Sequence, residues 1–364
     1  MRLILISILL LTLHSLATAA PETARVSILS LLRPANVQLT LVSPQTAVLR
    51  SANHQFPVLS AKPIHIQAVN GRIQTESLSE EHVSLNCQGP CTARIQIGND
   101  MDRVYSGQFE FYYFNNTINI VLSIPPEQLV RSLISSEMRG VTELEAVKAF
   151  AIVSRSFLNQ NSRHPQLYAN FCDTTHCQVF QNMDPGSEIQ DAIQQTRGLV
   201  LTYHDQPLIP YYSRACGGRT STFESAWGKS NGVYEFPSVP CPCAKHLELW
   251  KAVITQNELQ TLSGFKASTM ARSENKIVIA NQNTKLQFPL EVFRAKLGQT
   301  YGWRRLPGNQ YQLKQINSGY LFEGNSQGHG VGFCQKGAEI LAAKGLRFDE
   351  ILTNYFPGTE IRNQ

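Results

Sequence analysis

A strongly apolar helix predicted near the middle of the chain constrains the fold more than any other stretch. The pattern places this helix over about residues 142–159, and its apolar positions cover most of its circumference. Such a helix must be covered on nearly every side, so it should lie at the centre of a domain. Thr142 and Glu145 fit a capping box, in which each side chain meets a free backbone N–H at the helix start.

Glu137 lies just ahead of this helix, in the stretch 136–140. A carboxyl group held rigidly in a partly dry setting has a raised pKa, because burial disfavours its charged form, and it then suits general-acid catalysis. The alternative is that Glu137 is an ordinary exposed loop glutamate, and spacing alone favours that alternative.

The first twenty residues have the features of an export signal. Arg2 precedes an apolar run over residues 3–13, and Ala17 and Ala19 form an A-x-A cleavage site. The run is short for a membrane span, although an uncleaved anchor is the alternative. We therefore expect an exported protein of the periplasm, the cell envelope or the medium, with no stable membrane span after signal cleavage.

The charge of the chain excludes a dedicated nucleic-acid surface. Loss of Arg2 with the signal lowers the formal net charge from +5 to +4, which is a mild excess. No stretch clusters Lys and Arg with interleaved aromatic residues, the pattern expected of a nucleic-acid patch. We therefore expect no nucleic-acid partner.

The remaining sequence predicts an α+β protein with two regions. Residues 21–120 alternate apolar and polar side chains and form a β-rich N-terminal region, with hairpin turns expected at Asn70-Gly71 and Asn115-Asn116. Residues 121–364 form a mixed α+β domain built around the buried helix. This second region includes a hairpin of strands 199–203 and 208–213, weakly patterned residues 245–320, and helices at 335–344 and 350–355.

Two thiols and an imidazole lie within six residues at Cys172, His176 and Cys177. Sulfur and imidazole at this density suit tetrahedral zinc. A local Cys172–Cys177 disulfide is about as well supported by the spacing, and a catalytic thiolate is the least favoured of the three interpretations.

The other cysteines favour disulfides, since an exported protein can form them. Cys87 and Cys91 close a tight loop and predict a small disulfide. Two long-range disulfides are the default for the remaining four, and a second metal site that uses Cys241 and Cys243 is the alternative. These four residues are Cys216, Cys241, Cys243 and Cys334.

Four segments, taken in order, resemble the SpoIID/LytB family of peptidoglycan-acting proteins. The resemblance covers about residues 105–356. The four segments are residues 136–138 with 145–157, 211–220, 227–228 and 328–338.

The resemblance implies a lytic transglycosylase that cleaves the MurNAc–GlcNAc bonds of peptidoglycan glycan strands, and it points to strands already stripped of stem peptides. One carboxyl group would protonate the leaving oxygen and then accept the proton of the 6-hydroxyl, which forms a 1,6-anhydroMurNAc end. The alternative function is a non-enzymatic, glycan-binding enhancer of a cell-wall amidase. A structural envelope protein is a third interpretation that no specific feature of the sequence supports.

By resemblance, the catalytic acid and base is Glu137, with Glu145 ranked second. The Cys172–His176–Cys177 region would carry a structural zinc ion. His329 has an equally weighted alternative as a histidine that only stabilises its glycine-rich loop. Arg139 stands where the family usually has proline, and its charge would favour the ionised form of Glu137 unless it points away. The implied substrate-binding residues are Ser213, Gly217, Gly218, Thr220, His329 and Gln335.

Overall fold

The computed structural model describes residues 23–42, 46–59, 62–99, 101–160, 163–181 and 186–364. The predicted export signal at residues 1–20 lies outside these ranges. No helix among the described residues is both long and apolar enough to cross a membrane. The described residues form a mixed, strand-rich fold, which is compatible with the predicted α+β class.

The N-terminal region forms a curled antiparallel sheet, as its alternating pattern predicts. The spatial order is β1-β11-β10-β9-β2-β5-β6-β7, with β8 also pairing with β10 and with the β3–β4 hairpin. The strands are β1 Ala24–Ile28, β2 Asn36–Leu41, β3 Ala47–Arg50, β4 Gln55–Val58, β5 Ile64–Val69, β6 Arg72–Gln74, β7 Ser79–Glu80, β8 His82–Cys87, β9 Cys91–Ile97, β10 Met101–Phe114 and β11 Thr117–Ile124.

Both predicted hairpin turns are confirmed. Asn70-Gly71 joins β5 to β6 with φ values of 49° and 80°, and Asn115-Asn116 joins β10 to β11 with 48° and 61°. Positive φ at both central residues defines the turn whose twist matches that of the flanking strands. Cys87 and Cys91 form the predicted disulfide between β8 and β9.

Two helices follow the sheet, α1 at Pro126–Glu137 and α2 at Leu144–Phe157. α2 is the predicted central helix, and its burial is confirmed, because every residue from Ala149 to Phe157 is buried. The predicted capping box of Thr142 and Glu145 is wrong. Glu143 occupies the N-cap and makes no capping hydrogen bond with its side chain, and the Glu145 carboxylate instead accepts from Lys148 at 2.5 Å and from the Phe348 N–H at 2.9 Å.

Segments distant in sequence cover α2. Besides α1, it contacts a strand, β13 Leu199–Tyr203, and three later helices, α3 Ser187–Gln195, α7 Gln335–Ala343 and α8 Phe348–Tyr355. The predicted hairpin of strands 199–203 and 208–213 is wrong in its second strand. β13 pairs instead with the short strand Gln206–Pro207 and with the C-terminal strand Glu360–Asn363, while Tyr212 and Ser213 form a separate strand. The elements after α2 are β12 Phe171–Cys172, α3 Ser187–Gln195, β13 Leu199–Tyr203, β14 Gln206–Pro207, β15 Tyr212–Ser213 and α4 Phe223–Trp227.

The weakly patterned residues 245–320, together with the end of the strand Gly319–Gly324, form a second apolar core, which the sequence did not predict. Ile254, Phe293 and Phe322 are fully buried in it, between two three-stranded antiparallel sheets and two helices. Its elements are β16 Trp250–Thr255, α5 Gln256–Ser263, β17 Thr269–Arg272, β18 Lys276–Ala280, β19 Lys285–Pro289, α6 Leu290–Tyr301, β20 Tyr311–Ile316 and β21 Gly319–Gly324.

The C-terminal segment packs on the larger apolar core that surrounds α2, called the main core below. The predicted helices at 335–344 and 350–355 are confirmed as α7 and α8, and the last strand completes the sheet with β13. The elements are β22 Phe333–Cys334, α7 Gln335–Ala343, α8 Phe348–Tyr355 and β23 Glu360–Asn363.

Substitution of Phe150 tests whether the main core depends on α2. It is 0 % exposed, and its ring contacts Tyr212 edge-on at 4.9 Å and stacks on Phe333 at 5.8 Å, measured between ring centroids. We expect Phe150→Ala to lower the free energy of unfolding by about 3–5 kcal/mol, because it leaves a cavity in a packed core. Leu144→Ala on the same helix is the control, since Leu144 is 38 % exposed and should cost only about 0.5 kcal/mol. Chemical denaturation followed by circular dichroism measures both, and equal losses would contradict the prediction.

Candidate functional site

Glu137 is the last residue of α1, and not a loop residue ahead of α2 as the sequence suggested. Its carboxyl group accepts hydrogen bonds from three donors that come from different parts of the chain. The Val179 N–H donates to Oε1 at 2.7 Å, the Tyr212 hydroxyl donates to Oε1 at 3.0 Å, and the Gln335 amide donates to Oε2 at 3.4 Å. The structure therefore encloses the carboxyl group that the sequence singled out.

The environment of Glu137 favours its protonated form. Burial is the main cause and raises the pKa above its usual value, and the hydrogen bonds from Val179, Tyr212 and Gln335 oppose it in part. The carboxyl group also lies at the C-terminal end of α1, where the helix dipole disfavours negative charge. A protonated carboxyl group with fixed donors around it is suited to deliver a proton.

The cation that acts on Glu137 is Arg214, which favours the charged form of the carboxyl group and lowers its pKa. Arg139, the departure noted in the sequence, is exposed and makes no hydrogen bond or ion pair within the described ranges. Proximity in sequence therefore pointed to the wrong arginine, because Arg139 follows the end of α1 on the solvent side.

Two short parallel strands bring Tyr212 and Gln335 to Glu137. β15 pairs with β22 so that Tyr212 lies opposite Phe333 and Ser213 lies opposite Cys334. Gln335 begins α7 directly after β22. Because Phe150 on α2 packs against both Tyr212 and Phe333, the central helix contacts both strands and holds them in place.

Tyr212 was not singled out by the sequence analysis as a site residue, although it lies within a segment of the family resemblance. Burial, and then the negative charge of Glu137, raise its pKa well above the usual value, so its hydroxyl remains a donor. The signal that could have identified it is its position one residue before Ser213 in the glycine-rich segment. The Val179 N–H carried no signal, because any residue type supplies a backbone donor.

Among the predicted substrate-binding residues of the glycine-rich turn, Thr220 uses its side chain to stabilise the fold, whereas the Ser213 hydroxyl makes no such bond and the two glycines have no side chain. Ser213 is buried, and its hydroxyl has no hydrogen-bond partner among the described residues. Gly217 and Gly218 have φ values of 86° and 115°, which side chains disfavour, and a Cβ on Gly217 would lie 2.9 Å from Asn325 Oδ1. Thr220, by contrast, is buried and uses its hydroxyl to bond the backbone of residues 237 and 239.

His329 is held inside the glycine-rich loop that carries it. Its Nδ1 accepts the Val331 N–H at 3.0 Å, and the ring also hydrogen-bonds the backbone of Tyr212. Burial lowers its pKa to about 4, so the ring is neutral at pH 7. These contacts give His329 a role in supporting Tyr212, and its role in substrate binding stays a prediction.

The predicted metal ligands lie together, and a fourth residue joins them. Cys172, His176 and Cys177 are grouped with His164, and their ligand atoms all lie within 4.8 Å of one another. Cys177 Sγ lies 3.3 Å from His164 Nε2 and 3.7 Å from His176 Nδ1, and Cys172 Sγ lies 3.9 Å from His176 Nδ1. Zinc bonds of usual length in a tetrahedron separate nitrogen from sulfur by about 3.6 Å, so this donor set fits zinc.

Neither the local Cys172–Cys177 disulfide nor the long-range disulfides considered from the sequence form among the described residues. Cys172 and Cys177 are free thiols, as are the four cysteines for which long-range disulfides were the default. That default is wrong in this structure. The sulfur atoms of Cys216, Cys241, Cys243 and Cys334 instead converge within 4.8 Å.

Part of the chain matches a known protein family. Residues 114–203, which include Glu137, α2 and all four residues of the histidine–cysteine group, match the family model described as SpoIID, stage II sporulation protein. Stage II sporulation protein D of Bacillus subtilis is 28 % identical over 270 residues, which cover 66 % of this chain and 75 % of that protein. The chain is therefore similar to proteins of the SpoIID/LytB family. The resemblance predicted from the four segments is confirmed.

Two further relatives extend the comparison. An uncharacterized protein of Brachyspira hyodysenteriae is 26 % identical over 268 residues, which cover 71 % of this chain and 72 % of that protein. The amidase enhancer of Bacillus subtilis is 23 % identical over 290 residues, which cover 64 % of this chain and 40 % of the enhancer. Both matches cover more of this chain than the segment 114–203 that the family model matches.

Proposed function

We propose that this SpoIID/LytB protein is a lytic transglycosylase that cleaves the MurNAc–GlcNAc bonds of peptidoglycan glycan strands. The observation that carries the proposal is the enclosed carboxyl group of Glu137, whose burial raises its pKa and whose oxygens meet three fixed donors. The partial match to the family model and the relative named amidase enhancer support a function at the cell wall.

One carboxyl group is enough for this reaction. Glu137 first donates its proton to the glycosidic oxygen while the bond from that oxygen to C1 of MurNAc breaks, which leaves an oxocarbenium-like sugar. The resulting carboxylate then takes the proton of the MurNAc 6-hydroxyl as that oxygen bonds to C1. The product is a 1,6-anhydroMurNAc end, and no water is consumed.

The donors around Glu137 serve the second half of this reaction. Tyr212 and the Val179 N–H both point at Oε1, and Gln335 points at Oε2. They stabilise the carboxylate that forms when the proton leaves, and they fix its orientation. Ser213 is beside Tyr212, and its buried hydroxyl has no partner in the described part of the chain. Its role in substrate binding stays a prediction from the family resemblance.

The substrate we propose is glycan from which stem peptides have been removed. Purified strands stripped by an amidase are incubated with the mature protein, and the products are identified by mass spectrometry. We expect anhydro-ended fragments from the wild type, and Glu137→Gln should reduce their rate of formation by about 100-fold or more, because general-acid catalysis is lost. Glu143→Gln is the control, since the Glu143 side chain makes no capping hydrogen bond. Unchanged activity of Glu137→Gln would refute the assignment.

A second function, enhancement of a cell-wall amidase without cleavage, is favoured by the relative that bears that name. It predicts that the protein binds intact peptidoglycan and increases peptide release when an amidase is added. Here Glu137→Gln should enhance as well as the wild type, and both should leave the glycan strands uncut. Failure to bind peptidoglycan or to stimulate the amidase would remove this function.

The pH dependence of cleavage separates the two arginines. A general acid must be protonated, so activity falls as the pH rises through the pKa of Glu137, which is above its usual value. Arg214 lowers that pKa, so Arg214→Gln should move the alkaline limb of the kcat/KM profile to higher pH. Arg139→Gln should leave the limb in place. A shift with Arg139→Gln alone would contradict the charge arrangement around Glu137.

We also propose that His164, Cys172, His176 and Cys177 hold a structural zinc ion. The ion would cross-link the segments around residues 164 and 172–177. Val179 lies two residues after Cys177, so this cross-link would also hold the backbone N–H that donates to Glu137. Four protein ligands fill the tetrahedron, which is typical of structural sites.

His164 is the ligand that the sequence alone did not identify, so it gives the sharpest test of this zinc site. We expect His164→Ala to reduce the zinc content of the purified protein by one ion per chain, measured by elemental mass spectrometry. His204→Ala is the matched control, because His204 is an exposed histidine outside the group. Equal zinc contents of the two variants would contradict the proposed ligand set.

A further inference from the structure

Four cysteines gather in the main core, away from the histidine–cysteine group. Cys216 follows β15, Cys241 and Cys243 lie at a short 3₁₀ turn, and Cys334 is the N-cap of α7. All four are buried, all four are free thiols, and their sulfur atoms lie within 4.8 Å of one another. Three chain segments therefore deliver sulfur to one point.

The spacing of the sulfur atoms suits a metal better than disulfides. Cys216 Sγ and Cys243 Sγ are 3.5 Å apart. A disulfide requires about 2.05 Å. Four thiolates around one zinc ion, with Zn–S bonds of about 2.3 Å, lie about 3.8 Å from each other. An all-sulfur tetrahedral set is typical of closed, structural zinc sites.

Polar hydrogens around the cluster are directed at the sulfur atoms. The backbone N–H groups of Cys216 and Gly337 donate to Cys334 Sγ at 3.4 Å and 3.3 Å, and the Tyr355 hydroxyl lies 3.3 Å from Cys241 Sγ. Such contacts stabilise the negative charge of metal-bound thiolates. A Cβ on Gly337 would lie 2.3 Å from Cys241 Sγ, so a side chain at this position would intrude on the cluster.

The cluster also lies where the second core joins the main core. Cys243 precedes the first strand of the second core, Trp250–Thr255, and Cys334 follows its last strand, Gly319–Gly324. Cys216 follows β15, which carries Tyr212, and Cys334 is the last residue of β22, which leads into Gln335. A metal ion there would join the two ends of the inserted core and hold two of the donors to Glu137.

We propose that Cys216, Cys241, Cys243 and Cys334 bind a second structural zinc ion, which anchors β15 and β22. This site is separate from the histidine–cysteine site, and it does not depend on the proposed reaction. It predicts two zinc ions per chain in total.

The first test uses the wild-type protein, so that misfolding of a variant cannot obscure it. The full mature chain is purified in zinc-containing buffer without reductant, and its zinc is counted by elemental mass spectrometry. The protein is then denatured with a chelator, alkylated and weighed intact. We expect two zinc ions and six alkylated cysteines. One zinc ion with only two alkylated cysteines would mean that disulfides join the four cysteines, and would overturn the proposal.

Variants then assign the ions to the two sites. Cys243→Ser and Cys177→Ser should each retain one zinc ion per chain, and the double variant should retain none. Cobalt bound to Cys177→Ser should show the charge-transfer band of all-thiolate ligation, which Cys243→Ser should lack. Two zinc ions retained by Cys243→Ser would overturn the proposal.

Hydrogen exchange tests the anchoring role without reference to activity. On loss of this ion in Cys243→Ser, amide exchange should accelerate in residues 211–218 and 331–338. Exchange in the N-terminal sheet, for example in β10, should be unchanged, because the hydrogen bonds described for the four cysteines do not involve that sheet. Unchanged exchange in residues 211–218 and 331–338 would overturn the anchoring role.

Discussion

The burial of α2 is the constraint on which the rest of the structure depends. A helix that is apolar around most of its circumference cannot lie on a surface, so other segments must cover it from several directions. α1, α3, β13, α7 and α8 supply that cover. α1 ends at Glu137, and Phe150 of α2 packs against both Tyr212 and Phe333. The packing that excludes water from α2 therefore also brings together the residues of the candidate site.

The state of Glu137 results from two opposing effects of that assembly. Burial raises the pKa of its carboxyl group, while the Val179 N–H, Tyr212 and Gln335 lower it in part. Burial is the larger effect, so the group holds its proton more tightly than an exposed glutamate. The same donors then stabilise the carboxylate that proton transfer would create. This combination suits a single group that we propose to act first as an acid and then as a base.

Each of the two sulfur-rich groups lies directly beside a donor to Glu137. Val179 follows Cys177 by two residues, and Gln335 follows Cys334 directly. The proposed zinc ions would therefore stabilise the short, irregular segments that deliver these donors. Such segments have few backbone hydrogen bonds of their own, since β12, β15 and β22 are each only two residues long. Metal ligation is a common means of stabilising such short segments where regular secondary structure is absent.

The sequence by itself determined the features that depend on neighbouring residues. The period of apolar positions predicted α2, the Asn-Gly and Asn-Asn pairs predicted their hairpin turns, and the spacing of Cys87 and Cys91 predicted their disulfide. The family resemblance added the expectation that Glu137, Ser213 and Gln335 belong to one site. Only the tertiary structure decided that Arg214 rather than Arg139 acts on Glu137, that His164 joins Cys172 and Cys177, and that four distant cysteines converge. The interaction of Arg214 with Glu137 and the convergence of the four cysteines join segments far apart in the chain, and long-range packing leaves no periodic signal in the residues that it brings together. His164 is nearer in sequence to Cys172, but the irregular chain between them has no period that would predict the contact.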